Sequence, residues 1–134
     1  MNVNNKSIID LSNKNFYYNY HNSAYVLSLK NNKYYVGLSS QINKRITNHF
    51  KNRTTNWIKK YPVINVKCII NNCSKVFEND LTLYLMNIYG WQNIRGGAWT
   101  KVNMTKPPDL IRNEVFLIFD NIPNDIKKFF KKKL

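Results

Sequence analysis

The segment from residue 31 to residue 50, NNKYYVGLSSQINKRITNHF, brings together side-chain types that could do chemistry. Tyr34 and Tyr35 stand side by side before a glycine, and Arg45 and His49 follow four residues apart. Positions i and i+4 lie on one flank of a helix, so a helix would place the guanidinium beside the imidazole. A buried strand has no need of paired tyrosines, and a solvated helix has no need of this pair. The segment therefore predicts a polar site.

The charge of the chain indicates the kind of partner that such a site would have. The 134 residues predict one domain that is large enough to bury a core. Lysine and arginine number 21 against seven acidic residues, which gives a formal net charge of +14. Such an excess favours a polyanion, either a nucleic acid or an acidic membrane surface. We expect a nucleic acid.

The sequence predicts an intracellular protein, in the cytoplasm or the nucleus. The longest apolar run, Val115–Phe119, is far too short to span a bilayer, and the first ten residues lack the apolar core of a signal peptide. Cys68 and Cys73 are therefore expected to be reduced thiols. Together with His21 and His49 they match no common zinc-site spacing, so a zinc site is not expected.

Hydrophobic patterns predict the order of strands and helices. The predicted strands are Ala24–Leu29, Tyr34–Leu38 and Val63–Ile70. The first predicted helix follows a Ser39 or Ser40 cap and has Ile42, Ile46 and Phe50 inward, and a helical turn at Thr55–Lys60 ends at Tyr61-Pro62. The last predicted helix runs from Ser74 to Gly90 with Phe77, Leu81, Leu85 and Ile88 inward. This β-β-α-β-α order implies an α+β fold with a small mixed or antiparallel three-stranded sheet flanked by helices.

The rest of the chain gives weaker patterns. Residues 1–22 are expected to form an N-terminal extension, residues 23–100 the main domain, and residues 101–134 a C-terminal extension packed on it. The segment NIRGGAWT predicts a loop, KPPDL predicts a break, and Asp109–Phe119 fits either a helix or a strand. The final NDIKKFFKKKL predicts a basic amphipathic helix.

The turn between the first two strands decides which side chains share a face. A loop of Asn31 and Asn32 alone would pair Ser28 with Tyr35 and turn Tyr25 and Tyr35 to opposite faces. A loop that also includes Lys30, with Asn32 at positive φ, would pair Leu27 with Tyr35 and place both tyrosines on one face. A shared site requires the second arrangement.

The chain resembles the GIY-YIG endonuclease domain. The resemblance rests on SAY, then YVG after nine residues, then KR, then a histidine one turn later, and it extends from about Ser23 to about Ala98. The segment YGWQNIRGGAW is also similar to one in GIY-YIG proteins of large DNA viruses and mobile elements. Ser23 and Ala24 depart from the family by replacing a glycine and an aliphatic residue, at positions that serve the backbone.

This resemblance implies a metal-dependent DNA endonuclease with a single divalent ion, Mg²⁺ or Mn²⁺, and tyrosine-assisted attack of water. Mg²⁺ keeps most of its water ligands and needs few carboxylates. The implied metal ligand is Glu78, since the other glutamate, Glu114, lies beyond the matched segment. An acidic residue in the first turn of a helix also complements the helix dipole, so Glu78 alone does not establish a metal site.

By the same resemblance the catalytic residues are Tyr25, Tyr35, Arg45, His49 and Asn93. The planar guanidinium of the arginine would hold two oxygens of the scissile phosphate. The histidine would relay a proton to the tyrosines, and the asparagine, with Asn87 as the alternative, would complete the site. Each type also has an ordinary structural use, because aromatic residues favour strands and most helix arginines are exposed.

DNA is the expected partner, bound mainly through its phosphates. The basic residues expected to contact it are Lys33, Lys44, Arg53, Lys128, Lys131 and Lys132. No second DNA-reading module is evident in the sequence, so a protein partner could supply specificity. The alternatives are a catalytically inactive basic nucleic-acid-binding domain of the same fold, and a protein that binds membrane surfaces through its basic tail.

Overall fold

A four-stranded sheet with helices on both faces positions the residues singled out above. The computed structural model describes residues 17–114 and 116–130. Its strands are β1 (Tyr18–Leu29), β2 (Lys33–Ser39), β3 (Val63–Cys73) and β4 (Ile94–Gly96). Its helices are α1 (Ile42–Phe50), α2 (Asn56–Lys60), α3 (Lys75–Tyr89), α4 (Asp109–Arg112) and α5 (Asn124–Lys127), with 3-10 turns at Lys30–Asn32, Trp91–Asn93 and Leu117–Asn121.

The strand order is β3-β1-β2-β4, with β1 antiparallel to both neighbours and β4 parallel to β2. The prediction of an α+β fold is confirmed, but the prediction of three strands is wrong. The fourth strand is the segment that was expected to be a loop. Three residues are too few to show a strand period, and β4 exists because its backbone pairs with Tyr34–Val36.

The hairpin has the register that a shared site requires. Leu27 lies opposite Tyr35, and Tyr25 lies opposite Gly37. The loop consists of Lys30–Asn32, in which Asn31 and Asn32 have φ values of 63° and 58°. Asparagine tolerates this left-handed region better than most residues, so the Asn-Asn pair sets the register. Of the two loops considered, the three-residue loop is the one present.

The two faces of the sheet are covered by different helices. Alternate residues of β1 point to opposite faces. Ala24 and Val26 face the core that contains α3, and Tyr25 and Leu27 face a second core formed with α1 and α2. The buried residues of α3 include Phe77, Leu81 and Leu85, as predicted, and those contributed by α1 and α2 are Ile46, Trp57 and Ile58.

Helix ends agree with the sequence in α3 and differ in α1. The Ser74 hydroxyl accepts a hydrogen bond from the backbone N–H of Phe77, and α3 ends at Gly90 with φ 92°. In α1 the cap residue is Gln41, whose side chain makes no cap hydrogen bond, and the Ser39 hydroxyl accepts from the Gln41 backbone N–H. Phe50 was expected to be inward but is 38% exposed, since it is the last residue of α1.

The C-terminal segment packs on the α3 face of the sheet. Phe119, Ile122, Ile126 and Phe130 are buried there in the same core as α3. The predicted basic helix is one turn, Asn124–Lys127, and the chain is not helical from there to residue 130. The final residues 131–134 and most of the predicted N-terminal extension lie outside the described residues. No helix in the described ranges is long and apolar enough to cross a membrane.

Candidate active site

Two buried tyrosines face each other on the α1 side of the sheet. Tyr25 is 1% exposed and Tyr35 is 6% exposed, and their ring centroids are 6.3 Å apart. The hairpin register places both rings on the same face. Two phenol hydroxyls therefore lie in one enclosed site.

His49 lies against both tyrosines and is fully buried. Its ring centroid is 5.4 Å from that of Tyr25 and 5.3 Å from that of Tyr35. The Tyr25 hydroxyl is 2.6 Å from His49 Nε2, and the Thr54 hydroxyl is hydrogen-bonded to His49 Nδ1. Both ring nitrogens are thus satisfied by hydroxyl groups, one from β1 and one from the loop after α1.

His49 is neutral at physiological pH. Burial, aided by the positive charge of Arg45, lowers the pKa of His49 to about 4. A neutral imidazole has one nitrogen that donates a hydrogen bond and one that accepts. The two hydroxyls contacting His49 therefore have different roles.

Arg45 determines the direction of this hydrogen-bond chain. Its guanidinium lies close enough to the hydroxyls of Tyr25 and Tyr35 to lower the pKa of both. A guanidinium can only donate, so the Tyr25 oxygen faces a donor on this side and directs its own proton to His49 Nε2. His49 Nδ1–H then donates to the Thr54 hydroxyl. We assign this tautomer to His49.

Neither tyrosine ionises readily. Burial raises the pKa of Tyr25 above its usual value, and the neighbouring Tyr35 raises it further, while Arg45 partly opposes both effects. Burial also raises the pKa of Tyr35, again against the effect of Arg45. Both phenols are therefore neutral at pH 7, and Tyr25 can act as a base only by passing its own proton to His49.

Glu78 supplies a carboxylate to this site from the first turn of α3. It is 6% exposed, and its charge acts on both Tyr25 and Tyr35. Burial raises the pKa of Glu78, whereas Lys75 and the backbone N–H of Gly97 lower it. The Lys75 ammonium is 3.8 Å away and belongs to an exposed side chain. A buried carboxylate with so little compensation would be stabilised by a cation.

The carboxylate chemistry fits a hard divalent ion. Among the described residues, no group of three histidine, cysteine, aspartate or glutamate side chains could hold a metal ion. Mg²⁺ needs no such cage, because it retains waters and binds through one or two carboxylates plus substrate oxygens. Glu78 therefore fits a site of this kind.

Gly37 makes room for the Tyr25 ring. A Cβ atom at position 37 would overlap the phenol carbon that carries the Tyr25 hydroxyl, and the hydroxyl itself. The ring has no space to move, since it is buried among Tyr35, His49 and the sheet. Position 37 requires a glycine because a side chain there would collide with the Tyr25 ring. The backbone conformation does not impose this requirement.

Gly37→Ala should lower the free energy of unfolding by about 1–3 kcal/mol, as overpacking does in other cores. Urea denaturation would measure this loss. The matched control is the same change in a Tyr25→Leu background, where the shorter side chain leaves space and the cost of the alanine should shrink. An equal cost in both backgrounds would show that Tyr25 is not the obstacle.

Asn93 does not join the other predicted catalytic residues. Its side-chain oxygen accepts a hydrogen bond from Lys33 Nζ at 2.8 Å, and its amide nitrogen donates to the Tyr89 carbonyl at 2.7 Å. It precedes β4, whereas Gly97, which contacts Glu78, follows β4. The geometry gives Asn93 a bracing position between β2 and α3.

The predicted DNA-contacting residues are distributed unevenly. The ammonium of Lys33 donates to Asn93 and also lies over the Tyr61 ring. Lys44 is exposed beside Arg45, and Arg53 is exposed after α1. Lys128 is exposed beside Lys67 and Phe129. Lys131 and Lys132 lie outside the described residues.

Two clefts open on either side of Arg45. The smaller, about 240 Å³, is lined by residues 39–41, Lys44, Arg45 and Asn48. The larger, about 590 Å³, begins at Tyr35 and Arg45 and runs between residues 54–56 and residues 100–103. Sequence reasoning missed this second cleft and Thr54, because Thr55 was interpreted only as the start of a helical turn and Thr54 was given no role.

Comparison with known proteins gives one match. The family model of the GIY-YIG catalytic domain matches residues 21–83, a range that includes Tyr25, Tyr35, Arg45, His49 and Glu78. No curated protein and no solved structure matches the chain. Asn93 and residues 100–103 lie beyond the matched range. Residues 21–83 of this chain are therefore similar to the GIY-YIG catalytic domain.

Proposed function

We propose that the chain is a divalent-metal-dependent endonuclease that hydrolyses DNA phosphodiester bonds and leaves a 3′-hydroxyl and a 5′-phosphate. GIY-YIG domains are generally endonucleases, so the family match supports a nuclease-type function. The observation that carries the proposal is the buried hydrogen bond between Tyr25 and His49 under the guanidinium of Arg45. It combines a proton acceptor with an anion-binding group at the end of two polar clefts.

Tyr25 and His49 act together as the base. The Tyr25 oxygen takes a proton from the attacking water while the Tyr25 proton passes to His49 Nε2. The water oxygen then bonds to phosphorus as the bond from phosphorus to the 3′-oxygen breaks. The imidazolium that forms keeps its Nδ1–H on the Thr54 hydroxyl. Such positioned proton transfer is typically worth about 10²–10⁴ in rate.

Arg45 holds the scissile phosphate and makes His49 a better base when substrate is present. Its planar group matches two phosphate oxygens and stabilises the charge that develops in the transition state. In the free protein its positive charge is the second cause of the low pKa of His49. A bound phosphate offsets that charge, so the pKa of His49 rises on binding.

Glu78 would hold the divalent ion, Mg²⁺ or Mn²⁺. When bound, the ion supplies positive charge to the phosphate oxygens and to the leaving 3′-oxygen. The backbone N–H of Gly97, which lowers the pKa of the Glu78 carboxyl, would help to orient that group. The excess of basic residues over the whole chain supplies the long-range attraction for DNA.

Incubation of the purified protein with supercoiled plasmid, linear duplex and branched DNA tests the proposal. We expect cleavage of at least one of them with Mg²⁺ or Mn²⁺ and none with EDTA, and products that DNA ligase can rejoin. Binding to all three without cleavage under any of these conditions would overturn the proposal. It would instead support an inactive binding domain of the same fold.

Thr54→Val should lower the single-turnover cleavage rate about tenfold, because the His49 N–H loses its buried partner and the useful tautomer is no longer favoured. Nitrogen-15 NMR of the imidazole reports the tautomer directly. Thr54→Ser keeps the hydroxyl, so its cleavage rate and its imidazole spectrum should match those of the wild type.

The neighbouring Thr55 provides a matched control. Its hydroxyl caps α2 by accepting from the Ile58 N–H. Thr55→Val should therefore cost about 1 kcal/mol of stability and leave the imidazole spectrum of His49 unchanged. If Thr54→Val cut at the wild-type rate with an unchanged imidazole spectrum, Thr54 would have no part in fixing the tautomer.

A further inference from the structure

The larger cleft has two walls that come from distant parts of the chain. The first wall is residues 54–56, at the start of α2, and the second wall is residues 100–103. Between them the lining offers hydroxyl and amide groups and two cations, Arg45 and Lys101, and no acidic residue. This chemistry suits an anionic chain that offers oxygen atoms as hydrogen-bond acceptors.

Arg95 holds the two walls together from beneath. It is 2% exposed, and its guanidinium donates to the carbonyls of Lys101 at 2.7 Å and Val102 at 3.1 Å. The same group lies 4.4 Å from the centre of the Trp57 ring, which belongs to α2 behind the first wall. Both walls are thus fixed to one side chain.

Burial of the Arg95 charge costs free energy, which indicates that the cleft is a stable part of the fold. No acidic side chain pairs with it among the described residues, and its remaining bonds go to the carbonyls of Trp91 and Ile94. A buried charge without an opposite charge is destabilising unless every donor is satisfied. Here four of the five N–H donors are satisfied by backbone carbonyls, and two of these bonds tie residues 101 and 102 to the buried guanidinium.

We propose that this cleft holds the DNA strand next to the scissile phosphate, with Lys101 binding a neighbouring phosphate. The proposal rests on the proposed endonuclease function. Arg45, at one end, contacts the phosphate to be cut, and Lys101 lies on the second wall. Hydroxyl and amide groups along the cleft bind phosphate and sugar oxygens, which positions the strand with little reading of bases. Lys101 and the second wall lie beyond the residues matched to the family.

Salt-dependent binding tests the assignment of Lys101. In a Glu78→Gln background, the dissociation constant for a labelled DNA duplex is measured at several salt concentrations. Each phosphate contact contributes a slope of about 0.9 in the plot of log K against log salt. Lys101→Gln should lower the slope by about one and weaken binding about eightfold near 0.1 M salt. Lys106→Gln, an equal change at an exposed residue outside the cleft, should have less than about half of this effect on the slope.

A double variant tests whether Lys101 binds a different phosphate from Arg45. The slope losses of Arg45→Gln and Lys101→Gln should add if the two residues bind separate phosphates. A double variant with the slope of Arg45→Gln alone would overturn the proposal, and so would equal effects of Lys101→Gln and Lys106→Gln. These binding measurements require no cleavage. The two proposals can therefore fail separately. If only the nuclease proposal fails, binding still depends on Lys101 and the wild-type protein gives no cut products.

Discussion

Glu78→Gln is expected to abolish DNA cleavage while DNA binding persists. The substitution keeps the size of the side chain and removes the charge that would hold the divalent ion. Loss of a charge-stabilising group at a developing phosphate centre costs at least about a hundredfold in rate. Binding should be unchanged or tighter, because a buried carboxylate facing phosphates is repulsive. Single-turnover cleavage, DNA binding and calorimetric titration with Mn²⁺ measure the three quantities.

The other glutamate of the chain is the matched control. Glu114 is exposed in a turn after α4, so Glu114→Gln makes the same change of charge away from the site. It should leave cleavage and Mn²⁺ binding as they are in the wild type. Glu78→Gln protein that still cuts in Mn²⁺ at close to the wild-type rate would remove Glu78 from the metal site.

Tyr25→Phe should slow cleavage about 10²- to 10⁴-fold by a factor that does not change between pH 7 and pH 9. Above pH 7, His49 is neutral because its pKa is lowered to about 4, and Tyr25 is neutral because burial raises its pKa. Since neither group titrates in this window, the ratio of wild-type to variant rates should stay constant. An exposed tyrosine acting as tyrosinate would instead make the ratio rise about tenfold per pH unit.

Tyr34→Phe is the control for loss of a neighbouring hydroxyl. The Tyr34 ring stacks on the Tyr89 ring on the other face of β2, with the ring centroids 5.0 Å apart. Loss of the Tyr34 hydroxyl should leave the cleavage rate within about twofold of the wild-type rate. A folded Tyr25→Phe protein with nearly wild-type activity would exclude the relay through His49 and leave Arg45 and Glu78 to carry the reaction. A ratio that rises with pH would keep Tyr25 but make it an ionised base.

The part of the site that could be predicted is the part that lies close together in sequence. Tyr25, Tyr35, Arg45 and His49 fall within one hairpin and the helix after it, where local rules decide geometry. The Asn-Asn turn fixes the hairpin register, and helix period places His49 one turn after Arg45. The role of Glu78 needed the family pattern as well, because one acidic residue in a first helical turn has an ordinary explanation.

The part that could not be predicted depends on contacts between distant residues. β4 is too short to show a pattern, and the segment around it was interpreted as a loop for that reason. Arg95 was passed over because nothing in NIRGGAWT reveals that its guanidinium is buried and bound to carbonyls six and seven residues ahead. Asn93 was assigned by resemblance alone, and its partners Lys33 and Tyr89 are 60 and 4 residues away.

The contacts of Arg95 have a consequence for how the protein could change over evolution. Its acceptors in the second wall are main-chain carbonyls, which are present whatever side chains occupy positions 101 and 102. The side chains at positions 100–103 are therefore free to diversify without loss of the support beneath them. The groups proposed to bind and cut the phosphate belong to other parts of the chain, residues 25–49 and Glu78. Related chains could acquire new DNA preferences through substitutions in this one segment while the chemistry is inherited unaltered, and a library of variants at positions 100–103 would sample the same freedom.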